Sequence, residues 1–333
     1  MREPRFWWRR AGLAASLLAP AGACYGAMAA HRMAKVGARA GLPVICVGNL
    51  TLGGAGKTPT VIMLAGMLAD AGERPFCLSR GYGGSVAGPK RVEARADTAA
   101  QVGDEALLLA NCAPTIVSPD RVAGARAAQA AGASVIVMDD GLQNPSLTKD
   151  FTLAVIDARR GIGNGRVFPA GPLRAPLGAQ LARTDALLIV GDGEAGRDIV
   201  KAAPKLPVFN GHLQPGAGAV ASLHGRRVLA FAGIGDPDKF FATVAAAGIA
   251  IAERHAFPDH HVFSAEDAAQ LVMQAEHGGL ALLTTEKDRA RMVGEPTLAA
   301  LAENSHVLPV RMVMEEADAL RTLILAKTAR PTS

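Results

Sequence analysis

Three observations predict an α/β fold built on a parallel sheet with helices on both faces, joined to a second, smaller α/β unit. Short apolar runs at residues 44–47, 75–78, 115–117, 135–138, 153–156 and 187–190 alternate with Ala-rich helical stretches such as 121–131 and 179–184. Continuous apolar strands separated by helices are buried on both faces, which is the habit of parallel sheets. The first run feeds a glycine-rich turn that ends in Gly56-Lys57-Thr58 and opens a helix over 57–71. The composition then shifts to Pro and Gly at 204–218, after which a second set follows at 228–232, 240–247, 249–252, 265–275 and 280–283, closing near 307–314. These breaks divide the chain into an amino-terminal segment (1–32), a core (33–205), a hinge (206–222) and a smaller α/β domain (223–333). At 333 residues and 50% hydrophobic content, the chain is long enough for two such cores.

The amino-terminal segment is the least ordinary. Arg2, Arg5, Arg9 and Arg10 flank Phe6-Trp7-Trp8, and residues 11–30 carry no charge. Three readings compete. A cleaved export signal would strand a nucleotide site away from ATP, and Arg9-Arg10 or the residues before Cys24 are easily over-read as export features. A spanning helix of about 20 residues would reach ~30 Å, but Pro20 sits mid-run and breaks or kinks a helix there. A helix lying in the interface is favoured over a span and over a helix merely packed on the domain. Its Trp pair would sit at headgroup level, Leu13, Leu17 and Leu18 would dip below, and each nearby arginine would add ~1 kcal/mol on an anionic surface.

The turn after the first strand reads as a phosphate cradle. Gly53, Gly54 and Gly56, with Ala55 between them, let backbone N–H groups converge, Lys57 reaches the β- and γ-phosphates, and the Thr58 hydroxyl is placed for Mg²⁺. The following helix aims its positive end at the same phosphates. Thr51 stands where the usual pattern has its first glycine. The second nucleotide signature is the apolar run 135–138 ending in Asp139-Asp140, where a carboxylate holds Mg²⁺ directly or through water. Together these specify a P-loop NTPase-type αβα sandwich. Thr285-Glu-Lys-Asp288 has the wrong order for a guanine-reading element, so ATP is the expected nucleotide.

Charge and cysteine content narrow the rest. A net charge of +5, with 35 Lys+Arg against 30 Asp+Glu, and no basic run interleaved with aromatics, argue against nucleic acid as a partner. Cys24, Cys46, Cys77 and Cys112 show no metal-like spacing, and two lie in strand-like runs as small hydrophobes.

The local strings taken in order carry a resemblance over nearly the whole chain. They are Gly48-Asn-Leu-Thr-Leu-Gly-Gly-Ala-Gly-Lys-Thr-Pro59, Ser79-Arg-Gly-Tyr-Gly-Gly84, Gly103-Asp-Glu105, Ser118-Pro-Asp-Arg121 and Asp139-Asp-Gly-Leu-Gln143. Gly163-Asn-Gly165, Pro169-Ala-Gly-Pro-Leu-Arg174, Phe231-Ala-Gly-Ile-Gly235, Phe257-Pro-Asp-His-His261 and Thr285-Glu-Lys-Asp288 follow. The sequence resembles the tetraacyldisaccharide 4'-kinase family, membrane-associated lipid A kinases of Gram-negative bacteria. That family also has Thr at the first-glycine position and opens with a basic, Trp-containing helix. This chain departs from it at Ala106, Leu142, Asn144 and Ala175.

The resemblance implies ATP- and Mg²⁺-dependent phosphorylation of the 4'-hydroxyl of an acylated glucosamine disaccharide 1-phosphate. It implies a monomer on the cytoplasmic face of the inner membrane. It further implies that Asp104 works with His260 as the proton-accepting pair, the carboxylate orienting and charging the imidazole, with Glu105 as a Mg²⁺ contact. Read from the residues alone, Asp104 also suits the N-cap of a helix over 105–110, and His260 is one of several histidines in a loop. Arg121 is expected on phosphate, and Arg80, Tyr82 and Arg174 on the lipid headgroup. With His260 in the second domain, the site is an interdomain cleft that must close to act. Two other function classes are a nucleotide-switch or metallochaperone-type NTPase and a soluble small-metabolite kinase. The latter leaves the aromatic, basic amino terminus without a purpose.

Overall fold

A computed structural model describes residues 3–329; Arg2 and the ends of the expected first and last segments lie outside the described residues. In chain order the strands begin with β1 (Val44–Gly48), β2 (Pro75–Ser79), β3 (Lys90–Arg91), β4 (Thr115–Val117), β5 (Val135–Asp139) and β6 (Phe151–Asp157). They continue with β7 (Ala186–Val190), β8 (Val208–Pro215), β9 (Arg227–Ala232), β10 (Ala250–Ala256), β11 (Ala281–Thr284), β12 (Ser305–Val307) and β13 (Val310–Met314). One sheet has the order β13-β8-β7-β6-β1-β5-β2-β4-β3, and the other β10-β9-β11-β12. Seven neighbouring strands of the large sheet are parallel, and the edge strands β13 and β3 run antiparallel. The small sheet is all parallel.

The apolar runs that predict strands are the buried ones. β1, β2, β5, β6 and β7 are buried along their whole length. Helix Lys57–Asp70 lays Val61, Leu64 and Leu68 on one face of the large sheet, and helix Arg121–Ala130 lays Ala125 and Ala128 on the other. Each such leucine or valine gives about 1.5–3 kcal/mol on leaving water. The small sheet is likewise covered on both faces, by Phe240, Phe241 and Val244 on one and Leu271, Ala275 and Leu301 on the other.

Sheet pairing redraws two expected boundaries. β8, inside the stretch read as a hinge, is a strand of the large sheet. β13 pairs with it, and helix Ala317–Thr328 sends Leu320 and Ile324 into the large-sheet core. The second unit is thus an excursion, and the chain returns to the first. Pro and Gly in β8 read as punctuation, but an edge-proximal strand tolerates them.

The amino terminus breaks where Pro20 predicts. Helix Leu13–Leu17 ends at Leu18, and Pro20 falls in the first turn of helix Ala19–Ala34, where its missing N–H costs nothing. Among the described residues no helix is long and apolar enough to cross a membrane. One face of the segment packs on the protein: a Cβ on Gly22 or Gly26 would meet Val167, Ala170 or Pro176. Leu13, Leu17 and Met28 stay exposed at 85%, 82% and 65%. The Trp pair differs from its expected headgroup position. Trp7 is buried edge-on to Phe168, its indole N–H donating to the Pro169 carbonyl, and Trp8 stacks under Arg160 and donates to Glu3.

Candidate active site

The cradle is built at the carboxyl end of β1. Gly53 and Gly56 have φ of +97° each, a conformation that side chains with a Cβ resist, and Gly56 caps helix Lys57–Asp70. Lys57 is 8% exposed, with Nζ 3.3 Å from Asn49 Oδ1 and 3.7 Å from Asp140 Oδ2. The Asn49 amide also donates to the carbonyls of Thr51 and Gly53, so one side chain braces the loop and aims the lysine. Thr51 is further tied by Arg174, whose Nε donates to its carbonyl at 2.9 Å. Ala55 and Thr58 are buried. From the second unit Gly235 comes so close to Gly54 that a Cβ on it would lie 3.0 Å from the Gly54 nitrogen.

Asp139 ends β5 in register with Val47 of β1, which sets an acid beside the cradle. Its carboxylate is buried, and neither oxygen has a hydrogen-bond partner in the protein. Burial, reinforced by the charge of Glu105, pushes its pKa well up. Asp140, at φ +50°, behaves oppositely. Burial alone would raise it, but Lys57 and then Arg174, whose Nη1 lies 3.1–3.2 Å from both carboxylate oxygens, bring it down to about 2. Arg121 is 2% exposed; Nη2 donates to the Asp139 carbonyl at 3.1 Å, while Nε and Nη1 have no protein partner. A solvated face is therefore excluded for Arg121. An orphaned carboxylate beside a half-orphaned guanidinium suits a divalent cation and a phosphate, since buried polar groups are otherwise satisfied. Among the described residues no three His, Cys, Asp or Glu side chains converge as a complete metal cage.

Asp104 and His260 meet although 156 residues apart. Gly103, at φ +87°, delivers Asp104 as the first residue of helix Asp104–Ala110; a Cβ on that glycine would strike the Tyr82 carbonyl at 2.6 Å. Asp104 Oδ1 accepts from the Glu105 N–H at 2.8 Å, but the expected N-cap is one residue off, since Gly103 precedes the helix and Asp104 lies within its first turn. Its Oδ2 faces His260 Nδ1 at 3.4 Å and takes the Arg291 Nε hydrogen bond at 2.7 Å. Burial alone would raise this carboxyl, but bonding to His260 and the charges of Arg291 and Lys287 hold it well below the usual range. The same contact with Asp104 raises His260 against the opposing effect of its burial. His260 sits at φ +54°, its N–H bound to the Gly233 carbonyl, and the exposed Tyr82 ring lies 4.7 Å from its own. The neighbouring His261 is structural, bonded to Asp267 and stacked on Phe257. Glu105 accepts from Lys287 at 2.6 Å through Oε1. Burial alone would raise it too, yet Lys287 and then Lys57 lower it.

The expected site residues Lys57, Thr58, Asp139, Asp140, Arg121, Asp104, Glu105 and His260 thus lie on the phosphate loop or along the seam between the two sheets. Of the residues expected at the lipid headgroup, Arg174 is engaged by Asp140 and Thr51, Arg80 is exposed, and the exposed Tyr82 lies against His260. Asn49, Lys287 and Arg291 carry structural weight that the sequence reading did not assign, although cations four apart on one short helix are a visible signal. The departures Ala106, Leu142 and Ala175 are buried packing positions, and the Asn144 side chain accepts from the Ser146 N–H.

The chain is similar to known proteins over nearly its whole length. The family model LpxK, tetraacyldisaccharide-1-P 4'-kinase, matches residues 14–329. The tetraacyldisaccharide 4'-kinase of Methylobacterium sp. (strain 4-46) is 58% identical over 322 residues, 96% of this chain and 95% of that protein. That of Rhodopseudomonas palustris (strain BisB5) is 54% identical over 329 residues, 98% of this chain and 97% of its own. Among solved structures, the "apo" form of LpxK from Aquifex aeolicus in complex with ATP superposes with a TM-score of 0.72 at 27% identity, covering 95% of this chain and 99% of that one.

Proposed function

The chain belongs to the tetraacyldisaccharide 4'-kinase family and is a lipid kinase of lipid A biosynthesis; from that premise we propose how its residues carry out the transfer. The γ-phosphoryl group of ATP passes to the 4'-hydroxyl of a tetraacylated glucosamine disaccharide 1-phosphate. Lys57 neutralises the β- and γ-phosphates held by the backbone of residues 51–56, and Arg121 offers its unpartnered N–H groups to phosphate oxygens. Asp139, Thr58 and Glu105 are the groups that would hold Mg²⁺, with Asp140 in support. Bound there, the ion would neutralise charge that develops on the phosphates. His260 presents Nδ1 to Asp104, so Nε2 is left to take the proton of the 4'-hydroxyl as its oxygen bonds to phosphorus and ADP departs with the electron pair of the broken bond.

The observation that carries this reading is the pairing of an unpartnered buried carboxylate, Asp139, with a loop of converging N–H groups and a lysine, next to a base held by a second acid. The exposed Leu13, Leu17 and Met28 support peripheral attachment to a membrane, which for this reading is the cytoplasmic face of the inner membrane, with the enzyme a monomer. There the multi-acyl substrate need not leave the bilayer, a step that costs ~0.8 kcal/mol per CH₂. The seam between the two sheets would be the cleft that closes on both substrates. The test is label transfer from γ-labelled ATP to detergent-dispersed tetraacyldisaccharide 1-phosphate. Label in the 4'-phosphorylated lipid is expected; label released only as inorganic phosphate, with none in lipid, would overturn it.

A further inference from the structure

The string Thr285-Glu-Lys-Asp288 finds no place among the groups that touch nucleotide or acceptor, yet its helix is where the second unit grips the first. Helix Glu286–Met292 packs on helix Asp104–Ala110, and two of its three cations, one turn apart, land on two consecutive acids: Lys287 on Glu105 and Arg291 on Asp104. Arg291 is itself clamped. Its Nη1 donates to Asp288 Oδ1 at 2.9 Å and to the Gly233 carbonyl at 2.7 Å. Asp288, fully buried, is held in turn by the Thr285 hydroxyl at 2.6 Å and the Gly233 N–H at 3.0 Å. Gly233 closes the circuit, because its carbonyl also accepts the His260 N–H at 3.0 Å. One peptide unit therefore registers the base and the arginine together, and both meet at Asp104 Oδ2.

Distance decides which partner dominates that oxygen. Arg291 Nε sits at 2.7 Å and Nη2 approaches equally closely, whereas His260 Nδ1 stands at 3.4 Å, longer than a well-formed hydrogen bond. A guanidinium cannot lose its proton, so this competition persists at every working pH. We propose that Arg291 is a positioning residue for phosphoryl transfer. It fixes the Asp104 carboxylate and shares its Oδ2 with His260, so that the carboxylate orients the imidazole without holding it protonated. The inference rests on the reading of Asp104 and His260 as the proton-accepting pair. The charged or titratable groups facing His260 are Asp104 across the seam, Arg291 from its own unit, Asp259 at 3.9 Å on its own loop, and Tyr82 over the ring. Arg291 is the cation among these and the one that favours the neutral ring.

The test is the pH dependence of kcat in the full-length enzyme with ATP and the lipid acceptor, for wild type, Arg291→Gln, Arg291→Lys and His260→Gln. Arg291→Gln removes the charge and keeps a donor, so its acid limb is expected at higher pH, with kcat at neutral pH down about tenfold and KM for ATP within about threefold. Arg291→Lys restores the charge without the planar fork, so its limb returns toward wild type while kcat recovers only in part. A merely structural arginine would lower kcat or stability and leave the limb where it was, and that result overturns the proposal. If Arg291→Gln does not fold, Arg291→Lys decides alone: full wild-type kcat there overturns it. His260→Gln separates the two levels. A limb that survives in that variant removes His260 as the base, whereas a limb lost there but unmoved by Arg291→Gln removes only the role of Arg291.

Discussion

Asp139 and Asp104 are two carboxylates of the same site, each at most 3% exposed, and they are treated in opposite ways. Asp139 has no partner in the protein for either oxygen and its pKa is driven up. Asp104 is bonded to a backbone N–H and an arginine and faces a histidine, and its pKa is driven down. Burial opposes the charged form in both, so the difference lies wholly in the neighbours. An acid left unsatisfied in the core costs stability and persists where a bound cation will satisfy it. A saturated acid holds other groups in place. The phosphate side of the site is thus unfinished without ligand, and the acceptor side is pre-assembled.

The largest effect that separates the two sides is expected from Lys57→Ala. Turnover should fall by about 10³–10⁵, in line with other charge-stabilising groups in phosphoryl transfer, and ATP affinity should fall with it. Near-normal turnover in isothermal kinetic assays would remove the loop from the mechanism. On the acceptor side, Asp104→Ala and His260→Ala should each lower kcat by about 10²–10⁴ while ATP affinity stays within a few-fold. If they act as one unit the double variant is little worse than the poorer single one; fully multiplicative losses would show two independent residues.

The smallest effect is in stability, and it carries the comparison most directly. Asp104 has a depressed folded pKa, so it stabilises the fold above its unfolded value of about 4, and the contribution is lost as pH falls through that value and below. Asp139 has a raised folded pKa, so its ionisation destabilises the ligand-free fold as pH rises from about 4 through that higher value. Melting at pH 8 without nucleotide should therefore find Asp139→Asn a few degrees more stable than wild type and Asp104→Asn a few degrees less. Below about pH 4 Asp139→Asn should converge on wild type, whereas Asp104→Asn should do so only as pH falls further, through the depressed folded value of Asp104. With Mg²⁺ and ATP the order for Asp139→Asn should reverse, because ligand stabilises only a protein that binds it well. Equal shifts of the same sign at pH 8 would show that the two acids are alike after all.

The parallel strands of the large sheet were legible because each is buried on both faces and therefore continuously apolar, as in residues 44–47 and 153–156. β8 was not, because its Pro and Gly read as a hinge, and β10 and β13 were read only in part, at 249–252 and near 307–314, since at or near sheet edges few of their residues are buried. The cradle was legible for a different reason: backbone N–H groups can converge on phosphate only where glycine permits it, so Gly53 and Gly56 carry their geometry in their identity. Asp139 was marked by ending an apolar strand. Asp104 and His260 were reached only through family resemblance, because nothing local in Gly103-Asp-Glu105 or in a loop with two adjacent histidines says which will face the other.

Local chemistry in the chain thus determined what depends on neighbours in sequence: the buried strands, the phosphate loop, the acid after β5 and the helix break near Pro20. Tertiary structure alone decided what depends on distance in space. It buried Trp7 in protein rather than membrane, spent Arg174 on Asp140, returned residues 310–328 to the first sheet and set Arg291 against Asp104. The physical reason is that strand burial and glycine conformation are written into a few consecutive residues, whereas the charge state of a carboxylate is set by groups within about 4–6 Å, and those here come from other segments of the chain, 34 residues away for Arg174 on Asp140 and 187 for Arg291 on Asp104.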